Sequence, residues 1–394
     1  MNKMATILII FFVLGCAGQN IKTTDKTTLS PMDMQDNANQ KQNDSPENKQ
    51  QNMSFRNIDD AYTSMSKKLD QLSENAVKSA FEIAVNTLKK DPGHIRANIV
   101  LFNAHLYQAN KDQTIEQFKK MITLNPKTPK SCIELGTLFA RLGKISEAIV
   151  FFQRSLELDN NFVEGYYNLG RAYSVKHQFD QSIEIYEKNI ELDPKHYRAL
   201  NNLGWIYMIK KDYQKALKYF NKALETKPDY SVAYLNIGTT RLMQKKNDAA
   251  EKNFQQYINL KPEDPEGYRN LATVYQKKQE FDHAITALRE LLKHKPDDYV
   301  AMNNLAVLLL SKARYGESFK LLHHVYHADI QNNKFKTEVK KNLAKASYHL
   351  AETLAENADK KNHAVKAYKN YLKYSDNLSQ VVIQQINDKI DALQ

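Results

Sequence analysis

The sequence predicts an all-α chain made of one antiparallel helix pair repeated along its length, and three observations predict it. Residues that interrupt helices are few, with 11 Gly and 10 Pro in 394 residues. Six of the prolines stand at 92, 126, 194, 228, 262 and 296, each 34 residues from the next except for one gap of 68, in which Asn160 takes the missing place. Between these prolines the apolar residues recur in a fixed order. Each proline marks the end of a second helix, because it lacks an N–H and disfavours helical backbone in the residue before it.

The order is clearest in mid-chain. Block 163–196 carries Tyr166, Leu169, Gly170, Tyr173, Ser182, Tyr186, Ile190 and Pro194; block 197–230 carries Leu200, Leu203, Gly204, Tyr207, Ala216, Phe220, Ala223 and Pro228. A small residue at the eighth place lets the two helices approach, and one at the twentieth does the same from the other side. Large residues at places 4, 7, 11, 24 and 28 fill the space between. Blocks 129–162, 231–264, 265–298 and 299–332 keep this register. Block 95–128 keeps Leu101, Phe118, Ile122 and Pro126 but has Phe102 and Thr114 at the small places, which predicts splayed helices.

The ends depart from the pattern, as the terminal units of a stacked array do. In 61–94 the second helix is carried by Ala80, Ala84, Leu88 and Pro92, while Lys67 and Lys68 occupy the places of Leu and Gly. The stripe Ile58, Tyr62, Met65, Leu69 and Leu72 predicts a first helix in shifted register. Beyond 332, Asn342-Leu343-Ala344 opens a further unit whose second half (Ala364, Tyr368, Leu372) arrives eight residues late, so lengthened helices are expected. Leu378, Val382, Ile386, Ile390 and Leu393 make one apolar stripe on a closing helix.

These blocks resemble tetratricopeptide repeats (TPRs) over roughly 61–374. The resemblance implies a right-handed solenoid of antiparallel helix pairs, divided as a degenerate repeat at 55–94, seven repeats over 95–332, an irregular pair at 333–374 and a capping helix at 375–394. It also implies that the chain binds other proteins.

The N-terminus reads as an address. Lys3 precedes an apolar run at 5–15 (ATILIIFFVLG), too short to span a bilayer as an ordinary helix and of the length of a signal-peptide core. The run ends in Val13-Leu14-Gly15-Cys16, which resembles the lipobox of bacterial lipoproteins. That resemblance implies removal of a signal peptide at 1–15, acylation of Cys16, and a membrane anchor stabilised by about 0.8 kcal/mol per buried methylene. The alternative is an ordinary secretory signal with an incidental cysteine. Ala17 after the cysteine points to the outer membrane, facing the periplasm. Residues 17–54 hold seven apolar residues in 38, too few to offset the entropy of ordering, so 16–54 is expected to be a disordered tether.

The formal charge is +11, but residues 17–60 carry five Lys/Arg against seven Asp/Glu, so the repeat body is strongly basic. Lysines occur in every block rather than in one cluster, which reads as a solvated face; an acidic partner or an anionic surface is the alternative. No nucleic-acid partner is expected.

In TPR proteins the first helix of each pair lines the concave surface, with places 2, 5, 9, 12 and 13 facing the groove and place 6 beside them. Place 6 is Asn168, Asn202, Asn236, Asn270 and Asn304 in successive blocks, and Asn342 fits too. This row resembles the asparagine ladder by which some TPR proteins grip an extended peptide, since an amide both donates and accepts. Alternatively, the amides tie neighbouring helices together. A second candidate is apolar: Tyr167, Trp205, Met208, Ile209, Leu235, Leu242 and Met243 lie outside the motif's packing places. Either they form a binding groove or they are buried between adjacent first helices. The Lys and Asn set with which TPR clamps hold chaperone C-termini is missing from every block, so that mode is not expected.

No enzyme is expected. There is no His-Glu-x-x-His and no Gly-rich nucleotide loop. His323, His324 and His327 are read as an outward face rather than a zinc site. Cys132 falls on a helix-packing place and is expected to be a buried thiol. No cofactor is expected.

Overall fold

The computed structural model describes residues 55–394 apart from 68, 70 and 71; the expected signal segment, Cys16 and the tether at 16–54 lie outside the described residues. The chain divides into two compact units, one ending at Pro228 and one running from Asp229 to Gln394. Among the described residues all regular structure is helical, and no helix is long and apolar enough to cross a membrane.

The first unit contains α1 (Ile58–Lys67), α2 (Glu74–Lys90), α3 (Ile95–Tyr107), α4 (Lys111–Ile122), α5 (Pro129–Arg141), α6 (Ile145–Leu158), α7 (Val163–Val175), α8 (Phe179–Leu192), α9 (Tyr197–Ile209) and α10 (Tyr213–Thr226). From α3 onward they form four hairpins. Within a hairpin the two helices pack together, and in this unit α6 packs on α7 and α8 on α9. The shifted register expected for α1 is present in part: Met65 is buried and Tyr62 packs against the same core, but the helix ends at Lys67, so Leu69 and Leu72 reach that core from beyond it.

The turn inside each hairpin has a feature the sequence hides. Ala109, Gly143, His177 and Lys211 all have positive φ (57°, 72°, 58° and 64°) and all occupy the fifteenth place of their block. The His177 N–H donates to Ser174 O at 2.9 Å and the Gln178 N–H to Tyr173 O at 2.9 Å. These two bonds satisfy carbonyls left open at the end of the first helix. Only one of the four residues is glycine, so the other three carry the steric cost of a left-handed backbone.

Close approach inside the hairpins depends on a pair of places. A Cβ added to Gly136 would meet the Phe152 ring at 2.5 Å, one on Gly170 the Tyr186 ring at 2.8 Å, and one on Gly204 the Phe220 ring at 2.8 Å. The missing side chain at place 8 is thus the space taken by the ring at place 24. The α3/α4 hairpin has rings at both places, Phe102 and Phe118, 6.3 Å apart and tilted. Its backbones meet less extensively than those of the other three hairpins, as expected from the bulk.

The second unit contains α11 (Ser231–Met243), α12 (Asn247–Leu260), α13 (Pro265–Lys277), α14 (Phe281–His294), α15 (Tyr299–Ser311), α16 (Tyr315–His327), α17 (Asn333–Ala355), α18 (Lys361–Tyr374) and α19 (Gln380–Asp391). Lys245, Gln279 and Ala313 again take positive φ at the fifteenth place. Gly238 faces Phe254, whereas Ala272 shares a core with Leu288 and Ala306 with Leu322. Most of the extra length expected after 332 lies in α17, which has 23 residues against 13 in α11, α13 and α15; the rest is in the connection to α18, which holds a 3-10 turn at Ala358–Lys360. The closing helix α19 buries Ile386 and Ile390, with Val382 and Leu393 beside them. Leu378 of the expected stripe lies before the helix.

Lysines at the fourteenth place bridge to the eighteenth place of the preceding block. Lys210 meets Asp180 at 2.6 Å in the first unit; in the second, Lys278 meets Asp248 at 3.0 Å and Lys312 meets Asp282 at 2.7 Å. Water screens pairs of this kind, so each contributes little to stability; Lys278 also meets Glu251 and Glu280. They account for part of the basic, solvated surface.

Candidate functional site

In the first unit, the first-helix face is ionic at α3, α5 and α7 and apolar at α9. Arg96 donates through Nε to Glu134 at 2.9 Å and through Nη1 to Asp59 at 2.7 Å, joining α1, α3 and α5. Its hydrogen bonds to Glu134 and Asp59 hold its pKa above the ordinary arginine value. At Glu164 burial pushes the carboxyl up; Lys130 opposes this and Glu134 reinforces it.

On α9 the ring of Trp205 is half-buried, with Phe179 edge-on at 6.2 Å. Its Nε1 is buried with no acceptor in reach, and so is Asn202 Oδ1 with no donor, one turn earlier on the same helix. An indole N–H can only donate, and leaving such a group unmade costs about 1–3 kcal/mol. Ile209 is half-buried. The expectation of an open apolar groove needs correction for two residues here. Met208 is buried in the helix packing, and Tyr167 is buried with its ring 4.8 Å from His196 and 6.3 Å from Tyr186.

The asparagines of this unit do not form an open row. Asn168 is buried and its Nδ2 donates to Glu164 O of its own helix at 2.9 Å. Asn202 is buried and donates to Tyr186 Oη at 3.0 Å. Neighbouring helices cover both amides, so their place on the helix does not translate into exposure.

In the second unit Asn236 and Leu235 are buried as well, the latter in a core with Phe254 and Leu271. Asn270 is half-buried and donates to Glu266 O at 2.9 Å and Glu266 Oε1 at 3.1 Å. Leu242 is half-buried, and Met243 is exposed. Among the five ladder candidates, Asn304 alone is exposed. It sits between Val300 and Val307 on α15, and these two valines are 51% and 41% exposed. Spacing of i, i+4 and i+7 puts all three on one helix face. Sequence reading missed both valines. The signal was available: Tyr299–Ser311 is apolar nearly all round, and a helix of that kind is either fully buried or keeps an apolar face for something else.

Elsewhere the candidates are structural. Cys132 is a free, buried thiol, pushed up to about 11 by burial. His323 and His327 are exposed with rings 4.4 Å apart. Burial, then His327 and Lys373, lower the His323 pKa. Among the described residues no group of three or more His, Cys, Asp or Glu is placed to hold a metal ion.

Comparison with known proteins follows the same blocks. Tetratricopeptide-repeat families match residues 163–196 and 197–230, residues 136–174, and residues 241–306. No curated protein matches the chain. Among solved structures, it is similar in fold to PilF of Pseudomonas aeruginosa (19% identity, 53% of this chain and 97% of that one, TM-score 0.47). It is likewise similar to the MamA protein (23%, 43% and 92%, TM-score 0.39). A third is YrrB, described as a TPR protein with an unusual peptide-binding site (22%, 47% and 95%, TM-score 0.38). With its 34-residue register, its helix hairpins and these family matches, the chain is a tetratricopeptide-repeat protein.

Proposed function

We propose that the chain is a protein-binding scaffold, anchored through acylated Cys16 and reaching into the periplasm of a bacterial envelope, where it holds a segment of another envelope protein and assists assembly of an envelope machine. The observation that carries the binding reading is the face of α15. Val300 and Val307 keep about half of their surface in water with the open amide of Asn304 between them. Apolar side chains around a free donor–acceptor suit a polypeptide, whose side chains need apolar contact and whose backbone needs hydrogen bonds. A passive spacer would instead be expected to present a polar first-helix face. The anchoring reading rests on the sequence 1–16 alone.

A photo-crosslinking residue placed at Val307 of the full-length protein in its cells tests the binding face. It should trap a discrete protein, and Asn304→Ala in the same chain should reduce the yield. The control position is Val150 on α6, which is 61% exposed but lies on a second helix. Equal crosslinking at Val150 and Val307 would remove the support for this face.

A further inference from the structure

We propose that the cleft between α17, α18 and the segment leading into α19 is a separate recognition site, for an acidic polypeptide segment that carries an apolar side chain. It lies within the second unit and does not depend on the α15 face.

The cleft is organised by two tyrosines. The rings of Tyr348 on α17 and Tyr371 on α18 meet edge-to-face at 5.2 Å. Both line two hollows, one of about 410 Å³ that also touches Lys341, Lys345, Ser375 and Leu378, the other of about 490 Å³ that also touches α19. An aromatic pair serving two adjoining hollows fits successive side chains of one segment better than a single small solute.

The charges of the cleft are mostly spoken for. Lys389 is paired with Glu352 at 2.6 Å, Asp376 with Lys340, and Asp388 accepts from Gln384 at 2.8 Å. Lys341 and Lys345 are the exception. They are exposed, one turn apart on α17, and make no ion pair among the described residues. A second, independent sign is Ser375: it lines the same hollow, and its buried Oγ has no hydrogen-bond partner. Native structures leave few such groups unmatched. Two unpaired ammonium groups, an unmatched hydroxyl and an aromatic floor together specify a ligand that brings carboxylates next to an apolar side chain. On a polypeptide that is an acidic segment with an embedded aromatic or aliphatic residue.

The test uses the full-length protein and fluorescein-labelled peptides of about ten residues, with one Phe flanked by Asp and Glu, or by Lys, in otherwise identical sequence. Anisotropy should show binding of the acidic peptide and not the basic one, weakening as salt is raised. The double variant Lys341→Glu/Lys345→Glu should bind the acidic peptide at least about tenfold more weakly, as expected for reversal of complementary charges. Both lysines are exposed, so circular dichroism should show the fold retained. Val307→Glu should leave this binding unchanged, which separates the site from the α15 face. Undiminished binding by the lysine double variant, or equal binding of the acidic and basic peptides, would overturn the proposal. Displacement of the peptide by Val307→Glu would overturn it too. So would binding of a fluorescent fatty acid in the absence of acidic-peptide binding, which would reassign the hollow to amphiphiles.

Discussion

At Gly204 the two helices of a hairpin come so close that a single methyl group has nowhere to go. Its Cβ would lie 2.8 Å from the Phe220 ring and 3.0 Å from Ala216 O. Gly204→Ala should therefore destabilise the protein by about 1–3 kcal/mol, the usual cost of overpacking. The blocks 265–298 and 299–332 show the compatible alternative, Ala at place 8 with Leu at place 24. Adding Phe220→Leu to Gly204→Ala should thus recover part of the loss in a chemical denaturation series; a neutral single variant would show that the pair is not coupled. The need for a small residue at place 8 was legible in the sequence, but its dependence on place 24 was not. The left-handed residue at place 15 was illegible for a different reason. Six of its seven occupants (Ala109, His177, Lys211, Lys245, Gln279 and Ala313) are not residues that announce such a backbone. The asparagines show the converse limit. A helical period tells which face Asn168 or Asn202 occupies, but only the neighbouring helix decides whether that face stays open.

Helix α15 begins on a buried acid, and that start should titrate. Asp298 caps the helix by accepting the Ala301 N–H at 2.9 Å and pairs with Arg269 at 2.5 Å. Burial pushes its carboxyl up, but Arg269 and the Ala301 N–H outweigh this and hold it below the ordinary aspartate value. A depressed carboxylate contributes stability that is present above the unfolded pKa, near 3.9, and lost as the pH falls through the lower folded value. Melting temperature should accordingly drop below about pH 4 in the native protein. Asn is as good an N-cap as Asp, so Asp298→Asn should cost stability at neutral pH chiefly through the lost charged bond to Arg269, about 1–3 kcal/mol, and should show a shallower acid drop. An unchanged acid profile in the variant would place the acid sensitivity elsewhere. The element also shows why its binding face escaped sequence reading. In Tyr299–Ser311 the exposed Val300 and Val307 are aliphatic, like the buried Leu305 and Leu308. Pattern finds an open face only where polar and apolar residues alternate, and here they do not. The excess length of α17 was legible as a late second half, but not its assignment to one helix.

Across the whole chain, the proposed anchor at Cys16 lies outside the described residues, so the sequence alone speaks for it. Cys16→Ser should move the protein from the detergent phase to the aqueous phase on Triton X-114 partitioning. Retention in the detergent phase would mean that Cys16 is not the anchor. The repeats, by contrast, were legible because their signals recur. A proline or a small residue that is weak evidence once becomes strong evidence at a 34-residue interval. The coupling between places 8 and 24 lies entirely inside each block, and this has a bearing on how such a gene can change. Gly–Phe and Ala–Leu are each one codon step apart at either place, yet both halfway states are poor. Ala opposite Phe is crowded, and Gly opposite Leu leaves a void. Point mutation must cross one of them, whereas unequal recombination that copies a whole block carries both partners together. A gene built this way lengthens or shortens by entire repeats more readily than it rewrites the interior of one.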